Sequence, residues 1–531
     1  MRSILRGLWI LGGVSVAAAV AAGCGSDCNN TGTCGPYIPP DGGGGTTGDH
    51  GGSAGLSGTG GLNGSSSGAS GASGAGVGGM DDAGAGAGAG GGGDREPCDS
   101  SKSPSEESCV VDNEYAIFVA PTGHDDASGT KAGPVQTIAK ALELAGDTKI
   151  VIACDGTYDE QVNLTSGAKL YGGFACPGKT IPWRYEPGKK ALVAPSARGI
   201  ALSISSGASD VVIEDFEFDA KDGVDPGESS VAAFVNASTR VLLSRVKLVA
   251  GKGVDGADGT LTKVTFPMQS ELNGRAASGD TGGAFNLVTC PAGGTTTGAA
   301  GGNGGSGVTG GGLGMPDLGS GKGGVVGADC SVGLGTTGAS ASPKPAASGA
   351  TKVGSITAAG WTGASGVDGA SGTPGQGGGG GAGAVSGGGG GGGGAGGCGG
   401  AGATGGKAGG SSIALLVLNS PLTLTSSELI AADAGKGGSG VAGQDGQAGG
   451  SAGVQVPDGC GGGKGGKGGA GGAGGGAAGG ISVGIAYQGM TPVPDAATTT
   501  VTGAAGAKGV GGVPNANDGI TGVKQDILQV P

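Results

Sequence analysis

Seven carboxylates crowd one stretch of this 531-residue chain: Asp210, Glu214, Asp215, Glu217, Asp219, Asp222 and Asp225. Carboxylates this dense can act as general acid and base or as hard oxygen ligands, and Asp215, Asp219 and Asp222 are the candidates for a Ca²⁺ site. A plainer reading competes. In "SDVVIEDFEFDA" the apolar residues Val211, Ile213, Phe216 and Phe218 share one face, so Glu214 and Glu217 fall between inward positions and are expected in solvent. The two histidines add little: His124 lies in a Pro-Thr-Gly-His-Asp turn expected at the surface, and His50 lies in a Gly/Ser-rich segment that cannot hold it in place. No catalytic residue is assigned, and no cofactor is expected beyond that Ca²⁺.

The cysteines form a second set with chemistry. There are eleven, and setting Cys24 aside leaves an even set that falls in neighbouring couples: Cys28 and Cys34, Cys98 and Cys109, Cys154 and Cys176, Cys290 and Cys330, Cys398 and Cys460. Disulfides between neighbours are the expectation, in a compartment where they persist. Metal ligation is the rival, but no CxxC pair occurs.

Cys24 stands apart because of what precedes it. "MRSILRGLWILGGVSVAAAVAAGC" has Arg2 and Arg6, an apolar stretch from Leu8 to Ala22 and small residues before the cysteine, the pattern of a cleaved export signal. Val20-Ala21-Ala22-Gly23-Cys24 resembles the lipobox of bacterial lipoproteins, with Ala21 where that family usually has Leu; an ordinary secretory signal is the alternative. The resemblance implies lipidation of Cys24, and Gly25 after it implies a place at the outer membrane or cell surface, with the membrane a partner through the lipid anchor. Residues 1–23 then read as signal peptide and 24–108 as a Gly/Ser/Ala-rich tether.

The elements that must position the carboxylates begin with "YAIFVAPTGHDDASGTKAGPVQTIAKALELAGDTKIVIACDGTYDEQVNLTSGAKLYGGF", residues 115–174. Ile138, Ala141, Leu142 and Ala145 recur at helical spacing and predict a short amphipathic helix ended by Gly146. This stretch resembles the opening of right-handed parallel β-helix proteins of the pectin-lyase-like group. Phe118, Val119, Pro121, Gly123, Asp125, Gly129, Thr130, Pro134, Thr137, Ile138, Ala141 and Leu142 match the first-coil pattern, and Gly156, Thr157, Tyr158 and Glu160 match the start of the stack. The resemblance implies an all-β solenoid with a short N-terminal capping helix. It also implies that any activity would be that of a polysaccharide lyase or glycoside hydrolase, with clustered aspartates or Ca²⁺.

Repeats extend this reading. "SDVVIEDFEFDA", "TRVLLSRVKLVA" and "SPLTLTSSELIA" each give two short strands with a kink, with Val241, Leu243, Val246 and Leu248 facing inward in the second, Leu422, Leu424 and Leu429 in the third, and Ser427 at its remaining inward place. Such units are stable only when stacked. The expected organisation is N-terminal coils over 109–250, a coil at 411–431 and a coil with the C-terminal tail over 480–531. Glycine-rich insertions over 251–410 and 432–479 leave the same corner of successive coils as excursions that add little to the apolar stack.

Glycine sets the character of those insertions: 138 of 531 residues are Gly. Segments such as "GWTGASGVDGASGTPGQGG" hold it at every third place, which suits either packed polyproline-II helices or plain disorder. They resemble the arrays of mycobacterial repetitive surface proteins. A net charge of −13, with no basic patches interleaved with aromatics, argues against nucleic acid as a partner. Two function classes remain: a non-enzymatic surface lipoprotein displaying glycine-rich loops for adhesion, matrix or envelope structure, and a carbohydrate-active enzyme or glycan-binding module. The partners expected are extracellular polysaccharide or surface proteins.

Overall fold

Three columns of apolar side chains, each one residue per coil, hold the fold together. Val151, Leu170, Ile213, Leu243 and Leu424 stand in register in the first column. Tyr158, Val193, Phe218, Leu248 and Leu429 form the second, and Leu164, Ile204, Val235, Val417 and Tyr487 the third. All join one buried cluster. The computed structural model describes residues 98–176, 182–327 and 329–531, so the expectations for the leader, Cys24, Cys28, Cys34 and His50 lie outside the described residues.

The columns belong to three all-parallel sheets through which the chain cycles, a parallel β-helix. The first has seven strands: Ala116–Val119, Ile150–Cys154, Lys169–Phe174, Ser209–Glu214, Thr239–Ser244, Leu422–Thr425 and Val493–Pro494. The second runs through Gly156–Tyr158, Ala191–Val193, Phe216–Asp219, Lys247–Ala250, Glu428–Ala431 and Thr499–Thr502. The third runs through Val162–Leu164, Leu202–Ile204, Ser230–Asn236, Ser412–Leu418, Ser482–Gln488 and Lys524–Gln529. The expected kink between paired strands is a left-handed residue at the corner of the first and second sheets: Asp215, Arg245 and Ser426 have φ of 57°, 53° and 48°. The expected helix is Ile138–Ala145, with Thr137 capping its N-terminus and Gly146 at φ 51° ending it. Ile138, Ala141 and Ala145 bury against the first coil. Glu160 accepts from the backbone N–H of Ile138 at 2.6 Å and of Ala139 at 3.0 Å, so this residue of the resemblance motif anchors the helix.

The long glycine-rich segments leave between the second and third sheets in successive coils, as expected, and they are ordered. Residues 366–381 and 391–406 run antiparallel, joined at every third residue by Gly369 N–H to Ala403 O (2.7 Å), Gly372 to Gly400 (2.8 Å), Gly375 to Gly397 (2.9 Å) and Gly378 to Gly394 (2.8 Å). The other edge of 391–406 donates to 460–475, from Gly394 to Gly463 O and from Gly397 to Gly466 O. A hydrogen bond every third residue to a different neighbour is the repeat of polyproline-II geometry, so the bundle, and not disorder, is the form taken. Within the buried run, Ala395, Cys398 and Ala401 fill one face, which continues to the exposed Thr404 and Lys407, and most close approaches on the other faces are made by glycine.

Two outer faces of the solenoid are covered. The segment from Cys98 and the side chain of Trp183 close over Phe118, Ile152 and Tyr171 on the first sheet. On the third sheet, Ile356 and Trp361 lie over Val231, Phe234, Ile413 and Leu416. Ile356 and Trp361 come from the antiparallel hairpin Gly354–Thr357 with Gly360–Gly363, inside the first insertion. The expectation that 251–410 adds little to the apolar stack is therefore corrected: it leaves the inner columns alone but seals an outer face.

Disulfides join Cys98 to Cys109 and Cys154 to Cys176, as the spacing predicted. The couples Cys290 with Cys330 and Cys398 with Cys460 do not form; Cys290 joins Cys398 and Cys330 joins Cys460. The bundle sets the pairing, because runs far apart in sequence lie side by side in it. Four disulfides are the chemistry of an oxidising, extracytoplasmic compartment and mark an exported protein.

Candidate functional site

The acidic strand crosses the corner between the first and second sheets, so alternation and the left-handed turn at Asp215 send its carboxylates to different places. Asp210 is exposed and paired with the Arg240 guanidinium. Glu214 and Asp215 turn into a half-buried cluster around Arg245. Arg245 Nε donates to Asp215 Oδ1 at 3.0 Å, and its Nη2 donates to Asp215 Oδ2 at 2.9 Å and to Glu214 Oε2 at 2.6 Å. The Tyr185 hydroxyl donates to Asp215 Oδ2 at 3.0 Å, and the Lys190 amine donates to the Arg245 carbonyl. Asp215 is only 2% exposed. Burial raises the carboxyl of Glu214 above its ordinary range despite Arg245, lowers the Lys190 amine, and raises the Tyr185 phenol with the help of the Asp215 charge.

Glu214 was expected in solvent and is instead buried. Alternation does place it outward, but Arg245, one coil later, folds over it and pairs with it. Glu217 likewise is engaged, 2.7 Å from Lys247 Nζ on the next strand. Arg245, Tyr185 and Lys190 were not singled out from the sequence. The available signal was register: Arg245 repeats the left-handed corner of Asp215 one coil on.

Further along, Asp219 is half-buried; its carboxyl is raised by desolvation and by the nearby Glu217 charge, and among the described residues its Oδ1 has no hydrogen-bond partner. It lines an open groove of about 500 Å³ with Ser196, Arg198, Lys221 and Asp222. Asp222 accepts from the Lys252 N–H at 2.6 Å, and Asp225 pairs with Arg198 at 2.8 Å. The three Ca²⁺ candidates thus do not converge: Asp215 is consumed by Arg245, and of the two that share the groove Asp222 caps the next coil's backbone while Asp219 is left without a cation partner among the described residues. No group of three or more His, Cys, Asp or Glu side chains converges on a metal position among the described residues. His124 is exposed in its turn.

A second groove, of about 510 Å³, lies where the N-terminal segment meets the first sheet. Its lining includes Tyr115, Asp147, Lys149, Lys169 and Asp210. Lys149 Nζ already donates to the Asn113 carbonyl at 2.6 Å.

What this arrangement does best is hold coils together. Asp215, buried between Arg245 and Tyr185, welds three coils at one corner, and the other carboxylates of this stretch, Asp219 excepted, pair with cations or cap N–H groups. No curated protein and no solved structure matches the chain. Residues 121–215, from the turn before the helix to the buried Asp215 but short of its partner Arg245, match DUF1565, a family described as a protein of unknown function.

Proposed function

We propose that this is a non-enzymatic scaffold, exported and anchored through lipid on Cys24 at the outer membrane or cell surface, which presents a rigid glycine-rich bundle on a β-helix for adhesion, matrix or envelope structure. The observation that carries this reading is that the carboxylates of the acidic stretch, Asp219 excepted, are spent on intramolecular contacts, Asp215 on Arg245 above all, while the insertions form an ordered, disulfide-fastened body. A catalytic carboxylate needs access to substrate, and Asp215 has none.

Incubation with a panel of pectic, uronic-acid and neutral cell-wall polysaccharides is expected to release neither reducing nor unsaturated ends. Release that Asp219→Asn abolishes would overturn the reading and support the second one, a carbohydrate-active or glycan-binding protein of the pectin-lyase-like kind. The groove beside Tyr115 favours that second reading, since it gathers acidic, basic and aromatic side chains in one place.

The anchor has its own test. Cys24→Ser is expected to move the protein from the membrane fraction to the soluble one. Continued partition into detergent micelles would count against lipidation.

A further inference from the structure

Between residues 284 and 337 the chain does not run as polyproline-II helices buried on every side. It lays a meander over the bundle: Asn286–Thr289 pairs antiparallel with Thr295–Gly298, with Leu287 opposite Thr297. Thr297 in turn pairs with Met315. Gly311 then donates to Gly324 O at 2.9 Å, Gly314 to Gly321 O at 2.9 Å and Val325 to Val332 O at 3.0 Å, so each segment lies beside the one before it. The inner side of this layer rests on glycines: a Cβ at Gly377 would stand 1.8 Å from Thr297 O, and one at Gly379 would stand 1.9 Å from Lys322 O. The layer's two cysteines, Cys290 and Cys330, fasten it to Cys398 and Cys460 of the bundle.

Its outer side is apolar and open. Phe285, Leu287 and Val325 are 62%, 58% and 64% exposed, and Leu313, Met315 and Leu334 are exposed as well. At those exposures the six present on the order of 600 Å² of apolar surface, the upper end of the largest patch on a typical monomer. That is most of the roughly 800 Å² each partner contributes to a standard interface. The charges in the layer, Lys322, Asp317 and Asp329, are few, so little charge has to be desolvated when the apolar face is covered.

We infer that this layer is an interface for a second copy of the chain, closing a two-fold dimer through the outer faces of the two meanders. A face backed by glycine and pinned by two disulfides is already ordered, so pairing loses little conformational entropy. Area sets the choice of occupant: the patch supplies most of what one partner of a standard dimer buries, and with Lys322 as its only cation it lacks the Lys/Arg rim that adsorption to an anionic bilayer uses.

The test is sedimentation of the full chain beside the double variant Leu287→Glu with Val325→Glu. Both positions are exposed, so the variant is expected to keep the parent's circular dichroism and melting point. The parent is expected to be dimeric and the variant monomeric, with the dissociation constant raised by about a hundred-fold or more because each charge would be buried unpaired. A parent that stays monomeric at every concentration overturns the proposal, as does a dimer the variant leaves intact. A monomer that binds neutral phosphatidylcholine vesicles through this face, and loses that binding in the variant, also overturns it, by assigning the patch to lipid.

Discussion

Gly380→Ala is expected to cost more than about 4–5 kcal/mol, the range reserved for a short list of gross packing failures. A Cβ at Gly380 would stand 1.8 Å from the carbonyl oxygen of Ala300, well inside contact distance. Gly380 also donates to Gly312 O at 3.1 Å and accepts from Gly324 N–H at 2.8 Å, so its run is hydrogen-bonded to the neighbours on two further sides. In an ordinary core, overpacking costs about 1–3 kcal/mol because side chains move aside. Here the obstacle is backbone held by its own hydrogen bonds, and moving it breaks them. The gain from a stiffer unfolded chain, about 0.4–1 kcal/mol, does not offset this. Gly307→Ala is the control: a Cβ there meets nothing within 4 Å, and a change within about 0.5 kcal/mol is expected. Denaturant midpoints of the two variants check the pair. A Gly380→Ala protein that unfolds at the parent's midpoint would show that the bundle is not closely packed.

The same close approach explains which parts of the fold could be read. The β-helix was legible because each coil carries its own inward residues: Val211 and Ile213, Val241 and Leu243, Leu422 and Leu424 repeat a pattern that local alternation displays. The helix was legible because Ile138, Ala141 and Ala145 recur at helical spacing. The glycine period of three was visible too. It could not decide between bundle and disorder, since an isolated polyproline-II helix has no internal hydrogen bonds and its order comes wholly from neighbours. For that reason the partners of Cys290 and Cys330 were misread: nearness in sequence says little where the third neighbour of a run lies more than a hundred residues away.

The candidate site was misread for a related reason. Alternation assigned Glu214 to solvent from its own strand, but burial there is decided by Arg245 on the next coil, which folds over it and pairs with it. The outward side of a solenoid strand is solvated only where nothing covers it, and two of the three sheets here carry a cover. A carboxylate count along one strand measures potential chemistry. Whether the carboxylates converge depends on the corner, and Asp215 in its left-handed turn splits them into an ion cluster on one side and Asp219 on the other.

Replacing residues 251–410 by a short Gly/Ser linker, with Cys460→Ser to avoid a free thiol, is expected to abolish the cooperative melt. The inner columns do not involve this segment, and shortening a loop lowers closure entropy, yet that gain is only about 0.6 kcal/mol per halving of length. Against it stands the hairpin that carries Ile356 and Trp361. Without it Val231, Phe234, Ile413 and Leu416 on the third sheet meet water. At roughly 1.5–3 kcal/mol for each fully buried side chain, four of them approach the whole stability of a domain, about 5–15 kcal/mol. The second insertion would also lose neighbours that Gly394 and Gly397 now bond, at Gly463 and Gly466. Ile356→Ala isolates the hairpin's share and is expected to cost about 2–5 kcal/mol while the bundle stays intact, as calorimetry or chemical denaturation can measure. A trimmed chain that melts cooperatively near the parent's midpoint, together with an Ile356→Ala protein of parental stability, would show that the hairpin lies against the solenoid without holding it, and the bundle would then be cargo that the β-helix carries, not a part of its core.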